Sequence, residues 1–193
     1  TPPHNTGDGI RMGAWVGGAI DEAPHCPMYF DEGVEGLEHM PSIPLTRQPW
    51  LYLNDLGERF CNESGTYDFI LHADASQPGN IHVCLWDADW QTYAQQFDMH
   101  GCSRMFPFDN GAAPNLPIEV VTAMNEEALK AGHIQQADTI EELAEKLGLP
   151  AEALAKTVER NNQNYDNQRD DDFGKEPFRL SPVPVSYTHL TLP

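Results

Sequence analysis

The chain lacks paired cysteines, has little positive charge and has no long apolar run, and each shortage removes a class of function. Its four cysteines, Cys26, Cys61, Cys84 and Cys102, are far apart, and none forms a C-x-x-C pair. That spacing fits reduced, partly buried thiols rather than a disulfide framework. His25-Cys26 and His100-Gly101-Cys102 carry metal-ligating side chains, but without the paired spacing of a structural zinc site. No metal is assigned. Only 11 lysines and arginines stand against 30 aspartates and glutamates, a formal net charge of -19. Such a surface repels nucleic-acid phosphates and anionic lipid, and it keeps a chain soluble. No apolar stretch approaches the roughly 20 residues of a membrane span. No signal peptide is visible, and the sequence starts at Thr1-Pro2-Pro3. The compartment therefore stays open between the cytoplasm and export through an upstream signal. Ser64 lacks a G-x-S-x-G elbow, which argues against a serine hydrolase. His72, His82, His100 and His133 are scattered. The run Asp170-Asp171-Asp172 lacks the glycine and glutamate positions of an EF-hand loop and reads as a solvated turn.

What is present is an ordinary globular composition. The 193 residues are 40% apolar and include 15 glycines and 16 prolines, enough for one domain or one and a fraction with many turns. Thr6 or Asp8 is placed to cap a helix over "GIRMGAWVGGAI", with Ile10, Gly13, Ala14 and Gly17 as a small-residue stripe that allows close approach. Residues 21–49 read as loop, broken by Pro24, Pro27, Pro41, Pro44 and Pro49. "WLYLN" reads as a strand, Asn54–Gly57 as a turn, "RFCN" as the returning strand and "IHVCLWD" as a buried strand. Residues 101–117 read as loop.

Three helices are predicted after that. The first covers 117–131, with Val120, Val121, Met124, Ala128 and Leu129 on its apolar face and Gly132 as its stop. The second follows the capping-box spacing of Thr139 and Glu142, buries Ile140, Leu143, Ala144 and Leu147, and ends at Gly148. The third opens at Pro150 with Leu154 and Val158 inward, and its polar end begins at Asn161-Asn162. The last residues, "SYTHLTLP", show neither a helical face nor clean alternation and look unrelated to what precedes them.

Three stretches carry a family resemblance. "NTGDGIRMGAWVGGA" resembles a flavin-contacting segment of the fumarate reductase and succinate dehydrogenase flavoprotein superfamily. "LNDLGERFCNE" resembles its N-x-x-G-x-R-F-x-N-E segment, and residues 137–183 resemble the helical hairpin and D-x-D-F-G-K turn of its capping domain. That superfamily includes fumarate reductases, urocanate reductases and 3-ketosteroid dehydrogenases. The resemblance implies an α+β fold: most of a capping domain plus a small strip of a Rossmann-type FAD-binding domain. The expected layout is a partial FAD-binding domain over 1–30, a capping domain over 31–180 and a truncated, foreign-looking tail over 181–193. No G-x-G-x-x-G fingerprint is present, so the chain reads as a fragment that is inactive on its own.

The resemblance also implies roles. Asp8 is the expected FAD contact, with Thr6 and Gly7 shaping its loop: a carboxylate accepts hydrogen bonds from hydroxyls, and glycine lets backbone come close. A plain helix cap is the competing reading of the same residues. Arg59 is expected to hold the strand turn through acidic neighbours. Asn62 and Glu63 either border the active cleft or form a local turn network. Tyr67 stands where fumarate reductases carry an arginine, and it matches the N-E-x-x-x-Y pattern of ketosteroid dehydrogenase-like members. Tyrosine cannot make a bidentate fork with a dicarboxylate. It can move a proton beside a carbonyl, although a phenol, with an unperturbed pKa near ~10, needs nearby positive charge or hydrogen bonds to act as a base. A core tyrosine packed near Trp86 or Phe69 is the alternative. The expected activity is FAD-dependent reduction or desaturation of a carbon–carbon bond next to a carbonyl or carboxylate. The substrate is a small molecule and the electron partner is open. A noncatalytic helical interaction module is the competing class.

Overall fold

The computed structural model describes residues 6–19, 43–97, 104–107 and 110–184, and the backbone of 188–191. In chain order its elements are α1 (Asp8–Trp15), β1 (Leu51–Leu53), α2 (Tyr67–Ala75), β2 (Val83–Asp87), α3 (Trp90–Ala94), α4 (Ile118–Ala131), β3 (Ile134–Ala137), α5 (Ile140–Leu147), α6 (Ala151–Asp166) and β4 (Thr188–Thr191). Short 3-10 turns occupy Pro44–Arg47, Pro78–Asn80 and Pro177–Arg179. The strands form one antiparallel sheet in the order β1-β2-β4-β3. The fold is thus mixed helix with a small antiparallel sheet.

All of β2 is buried because both faces of the sheet are covered. Side chains alternate along a strand. Tyr52, Cys84 and Trp86 therefore enter one apolar cluster with Leu45, Trp50, Phe97 and Val121. Leu51, Leu53, Val83 and Leu85 enter the other, with Ile140, Leu143, Leu154 and Val158 from the α5–α6 hairpin. The hairpin forms as its sequence dictates. Thr139 accepts the Glu142 amide at 3.1 Å, and Gly148 closes α5 in the left-handed region, at φ 68°. Gly132 ends α4 the same way, at φ 83°.

Several elements differ from the sequence reading. Gly7, not Thr6 or Asp8, is the α1 N-cap, and no side chain caps that helix. Thr6 Oγ1 donates to Asp8 Oδ2 instead, at 2.7 Å. The small-residue stripe of α1 is exposed, and no residue of α1 is buried. The segment after the Asn54–Gly57 turn is not a returning strand: one bridge, Leu53 to Arg59, is all it makes. A helix, α2, follows where no periodic apolar face marks one. A strand, β3, lies between the first two predicted helices. The predicted polar end of α6 is partly internal, since Asn161 and Asn164 are buried. Asn161 Nδ2 donates to the Ser181 carbonyl at 2.9 Å, and Asn162 exchanges two bonds with the Val183 backbone. Val120, expected on the apolar face of α4, is exposed. Part of the unpatterned tail is strand β4. His25, Cys26, His100, Cys102, Pro24, Pro27 and Pro41 lie outside the described residues. Among the described residues no helix is long and apolar enough to cross a membrane.

Candidate active-site wall around Tyr67

The chain from β1 to α2 is a tight excursion held by a buried ionic cluster. Asn54 starts it: its Oδ1 accepts the Leu56 and Glu58 amides, and Gly57 turns at φ 73°. The space where a Gly57 side chain would sit is closed by the Leu154 backbone nitrogen, 3.2 Å away. This turn delivers Arg59 inward. Its Nε and Nη2 donate to the two oxygens of Glu63, each at 2.8 Å, and Nη2 also reaches Asp170 Oδ2 at 2.8 Å. Lys175 Nζ completes the cluster, 3.2 Å from Glu63 Oε2, and donates to the Trp50 carbonyl at 2.9 Å. Glu63 and the Asp170 side chain are fully buried.

The electrostatics follow from that packing. Burial pushes the Glu63 carboxyl up, but Lys175 and Arg59 together outweigh it, so its pKa lies below the usual value and it stays ionised. Burial also pushes Asp170 up; the Arg59 and Lys175 amide hydrogen bonds reverse this and hold it at about 2. Burial lowers the Lys175 ammonium, with Glu63 opposing. For Arg59 the two carboxylates overcome burial and raise it. Asp170 is therefore a buried anchor rather than part of a solvated turn. It accepts the amides of Asp172, Phe173 and Lys175 and the Asn164 side chain. Asp172 lies further out, gripped by Arg160 at 2.8 and 2.9 Å.

Tyr67 emerges from this clamp. Asn62 folds back on the Ser64 amide at 2.9 Å, Gly65 closes the turn on the Asn62 carbonyl at 3.0 Å, and extended Thr66 precedes the first residue of α2. Tyr67 is that residue, and it is partly exposed. It is not among the buried core residues, whereas Trp86 is fully buried within the sheet cluster. Phe69 lies against Gly65 and is half exposed. The structure thus joins Arg59 and Glu63 in one cluster, with Asn62 on the same loop and Tyr67 four residues beyond Glu63 at the start of α2. Thr6, Gly7 and Asp8 form a separate turn at the head of exposed α1.

Sequence reasoning missed Lys175 and Arg179. Lys175 sits inside the D-x-D-F-G-K turn, but nothing local marks a lysine for burial. Arg179 follows a proline and a phenylalanine with no pattern at all. Cys61 and Cys84 are buried thiols. His72, His82 and His133 do not converge: His82 is buried beside Asp74 at 3.1 Å and stacks on Tyr52.

Comparison with known proteins identifies the family: the chain belongs to the FAD binding domain family, matching it over residues 1–192. It is 32% identical over 187 residues to vinyl phenol reductase of Lactiplantibacillus plantarum, covering 92% of this chain and 37% of that protein. It is 28% identical over 187 residues to 3-oxosteroid 1-dehydrogenase of Mycobacterium tuberculosis, covering 88% of this chain and 28% of that protein. Among solved structures, the open conformation of a flavocytochrome c3 fumarate reductase aligns with a TM-score of 0.56 at 21% identity, over 79% of this chain and 22% of that one. The chain therefore spans well under half the length of these relatives, and the family's cofactor is FAD.

Proposed function

We propose that this chain is the substrate-facing part of an FAD-dependent oxidoreductase acting on a carbon–carbon bond adjacent to a carbonyl, carboxylate or comparable activating group. The observation that carries the proposal is Tyr67: a partly exposed phenol at the start of α2, on a loop immobilised by the Arg59–Glu63–Lys175–Asp170 cluster. A fixed proton donor or acceptor beside an open surface is what such chemistry requires of the protein. The names of the relatives, a vinyl phenol reductase and a 3-oxosteroid dehydrogenase, point the same way. In this reading residues 31–180 act as the capping domain, and 1–30 contribute to the FAD-binding domain.

The residues expected to meet FAD fit it. Gly7 takes a left-handed conformation, at φ 74°, with nothing within 4 Å of the place its Cβ would occupy, so backbone is open to close approach. Asp8 is exposed and offers a carboxylate to hydroxyl groups, with Thr6 orienting it. FAD, when bound, supplies the hydride chemistry. Tyr67 holds or removes the proton at the substrate carbon beside the activating group. The cluster behind it keeps the phenol in place, and the exposed Phe69 adds apolar surface to the wall. Tyrosine at this position also disfavours a dicarboxylate, which a bidentate arginine would grip.

The test is to express the protein at the full length of its gene. A visible flavin spectrum should be present, and one of three panels (vinyl phenols, enoates, 3-ketosteroids) should reoxidise or reduce that flavin. A protein that binds no flavin, or whose flavin answers to none of the panels, contradicts the proposal.

A further inference from the structure

Three consecutive residues of the loop leading to Tyr67 are each held by the segment 173–179. Asn62 Nδ2 donates to the Phe173 carbonyl at 3.3 Å. Glu63 pairs with Lys175 at 3.2 Å. The Ser64 carbonyl accepts Arg179 Nη1 at 3.3 Å. The first two contacts come from the Asp170–Lys175 turn that carries the buried cluster. The third is different: Arg179 comes from the 3-10 turn Pro177–Arg179, beyond the cluster, and touches the last part of the loop before the helix. Ser64 Oγ is buried and makes no hydrogen bond among the described residues. Among those residues, Arg179 is therefore what holds Ser64 from outside its own turn. Its side chain is largely buried, at 16% exposed, with Cζ 5.3 Å from the Phe178 ring centroid and Nη1 3.9 Å from Glu176 Oε2.

We infer that Arg179 is a positioning residue for Tyr67, fixing the Ser64–Thr66 segment so that α2 begins with the phenol directed at the substrate. The inference rests on the proposed role of Tyr67. Chemically, a guanidinium on a backbone carbonyl is a charge-assisted bond, stiffer than the carbonyl–water contact that would replace it. The segment it fixes is short: between Ser64 and Tyr67 lie only Gly65, the most permissive residue type, and Thr66. Without Arg179 the Ser64 carbonyl loses its anchor, and the Gly65 amide hydrogen bond to the Asn62 carbonyl is what remains to hold the segment before Tyr67. A misplacement of about 1 Å at a reacting group costs on the order of 100-fold in rate. The loss would fall on turnover rather than on substrate binding, because Arg179 acts through the proton-transfer group.

The test uses the full-length holoenzyme and steady-state kinetics of Arg179→Gln, Arg179→Lys, Tyr67→Phe and the double variant Tyr67→Phe/Arg179→Gln. Arg179→Gln is expected to lower kcat about tenfold or more with KM within about twofold and bound flavin unchanged. Arg179→Lys, which keeps a cationic donor, recovers part of that loss, and it decides the matter if the glutamine variant does not fold. The double variant is expected to turn over no more slowly than Tyr67→Phe alone, since a residue acting through Tyr67 has nothing left to position. An Arg179→Gln kcat within about twofold of wild type overturns the inference, as does a double variant slowed by the full product of the two single effects. A Tyr67→Phe enzyme with normal kcat overturns the functional proposal itself, and that result is read independently of Arg179.

Discussion

Replacing Glu63 by glutamine changes one oxygen for nitrogen at a fully buried site and leaves the shape intact. The cluster then carries two cations, Arg59 and Lys175, against the single carboxylate of Asp170. Breaking one partner out of a buried pair costs about 3–5 kcal/mol, because the remaining charge is stranded rather than because a contact is lost. In a chain of this size about 1 kcal/mol lowers Tm by roughly 2–4 °C, so a loss of about 3–5 kcal/mol in Glu63→Gln should lower Tm by roughly 6–20 °C. Lys175→Met tests the reason. Alone it leaves Glu63 bidentate on Arg59 but strips the Trp50 carbonyl of its donor. Combined with Glu63→Gln it restores neutrality, with Arg59 on Asp170. The double variant should therefore be less destabilised than the sum of the singles, by a coupling of about 1–3 kcal/mol. Circular dichroism melts and urea titrations of the four proteins measure this. A Glu63→Gln protein within about 1 kcal/mol of wild type, or strictly additive singles, would refute the reasoning.

Asp170 gives a pH prediction. Its folded-state pKa is depressed from 3.8 to about 2, so it contributes stability that is present above pH 3.8 and lost as pH falls toward 2. The urea midpoint should drop across that window, and Asp170→Asn should flatten the drop while lowering stability at neutral pH. Gly57 gives a backbone prediction. It sits at φ 73°, and the Leu154 backbone nitrogen lies 3.2 Å from where an alanine methyl would project. Gly57→Ala therefore combines backbone strain with a contact that cannot yield. It should cost about 1–3 kcal/mol in the same melts.

Periodicity made the α5–α6 hairpin legible in the sequence. Ile140, Leu143, Ala144, Leu154 and Val158 recur at helical spacing, and Thr139, Gly132 and Gly148 mark boundaries that the structure keeps. β2 was legible as an unbroken apolar run. By contrast α2 and β3 were not. Helix α2 buries only Ile70 and Asp74 and so writes no stripe, and Ile134–Ala137 places two glutamines between its buried ends. The site was legible only in part. Arg59, Asn62, Glu63 and Tyr67 share one motif, and their neighbourhood follows from sequence proximity. Asp170 looked solvated because acidic runs usually are, and the cation that pairs with it, Arg59, comes from far away in the chain. Long-range pairing of this kind leaves no local trace, which is also why Lys175 and Arg179 went unmarked.

The central claim is that the Tyr67 hydroxyl transfers the substrate proton. Its most direct test is Tyr67→Phe in the full-length flavoprotein, followed by rapid mixing of the enzyme with the substrate that the panel identifies. The account predicts that flavin content and substrate affinity are retained while the rate of flavin reduction or reoxidation falls more than about tenfold, the ordinary share of a general acid or base. A phenylalanine enzyme whose flavin reacts at the wild-type rate would contradict it.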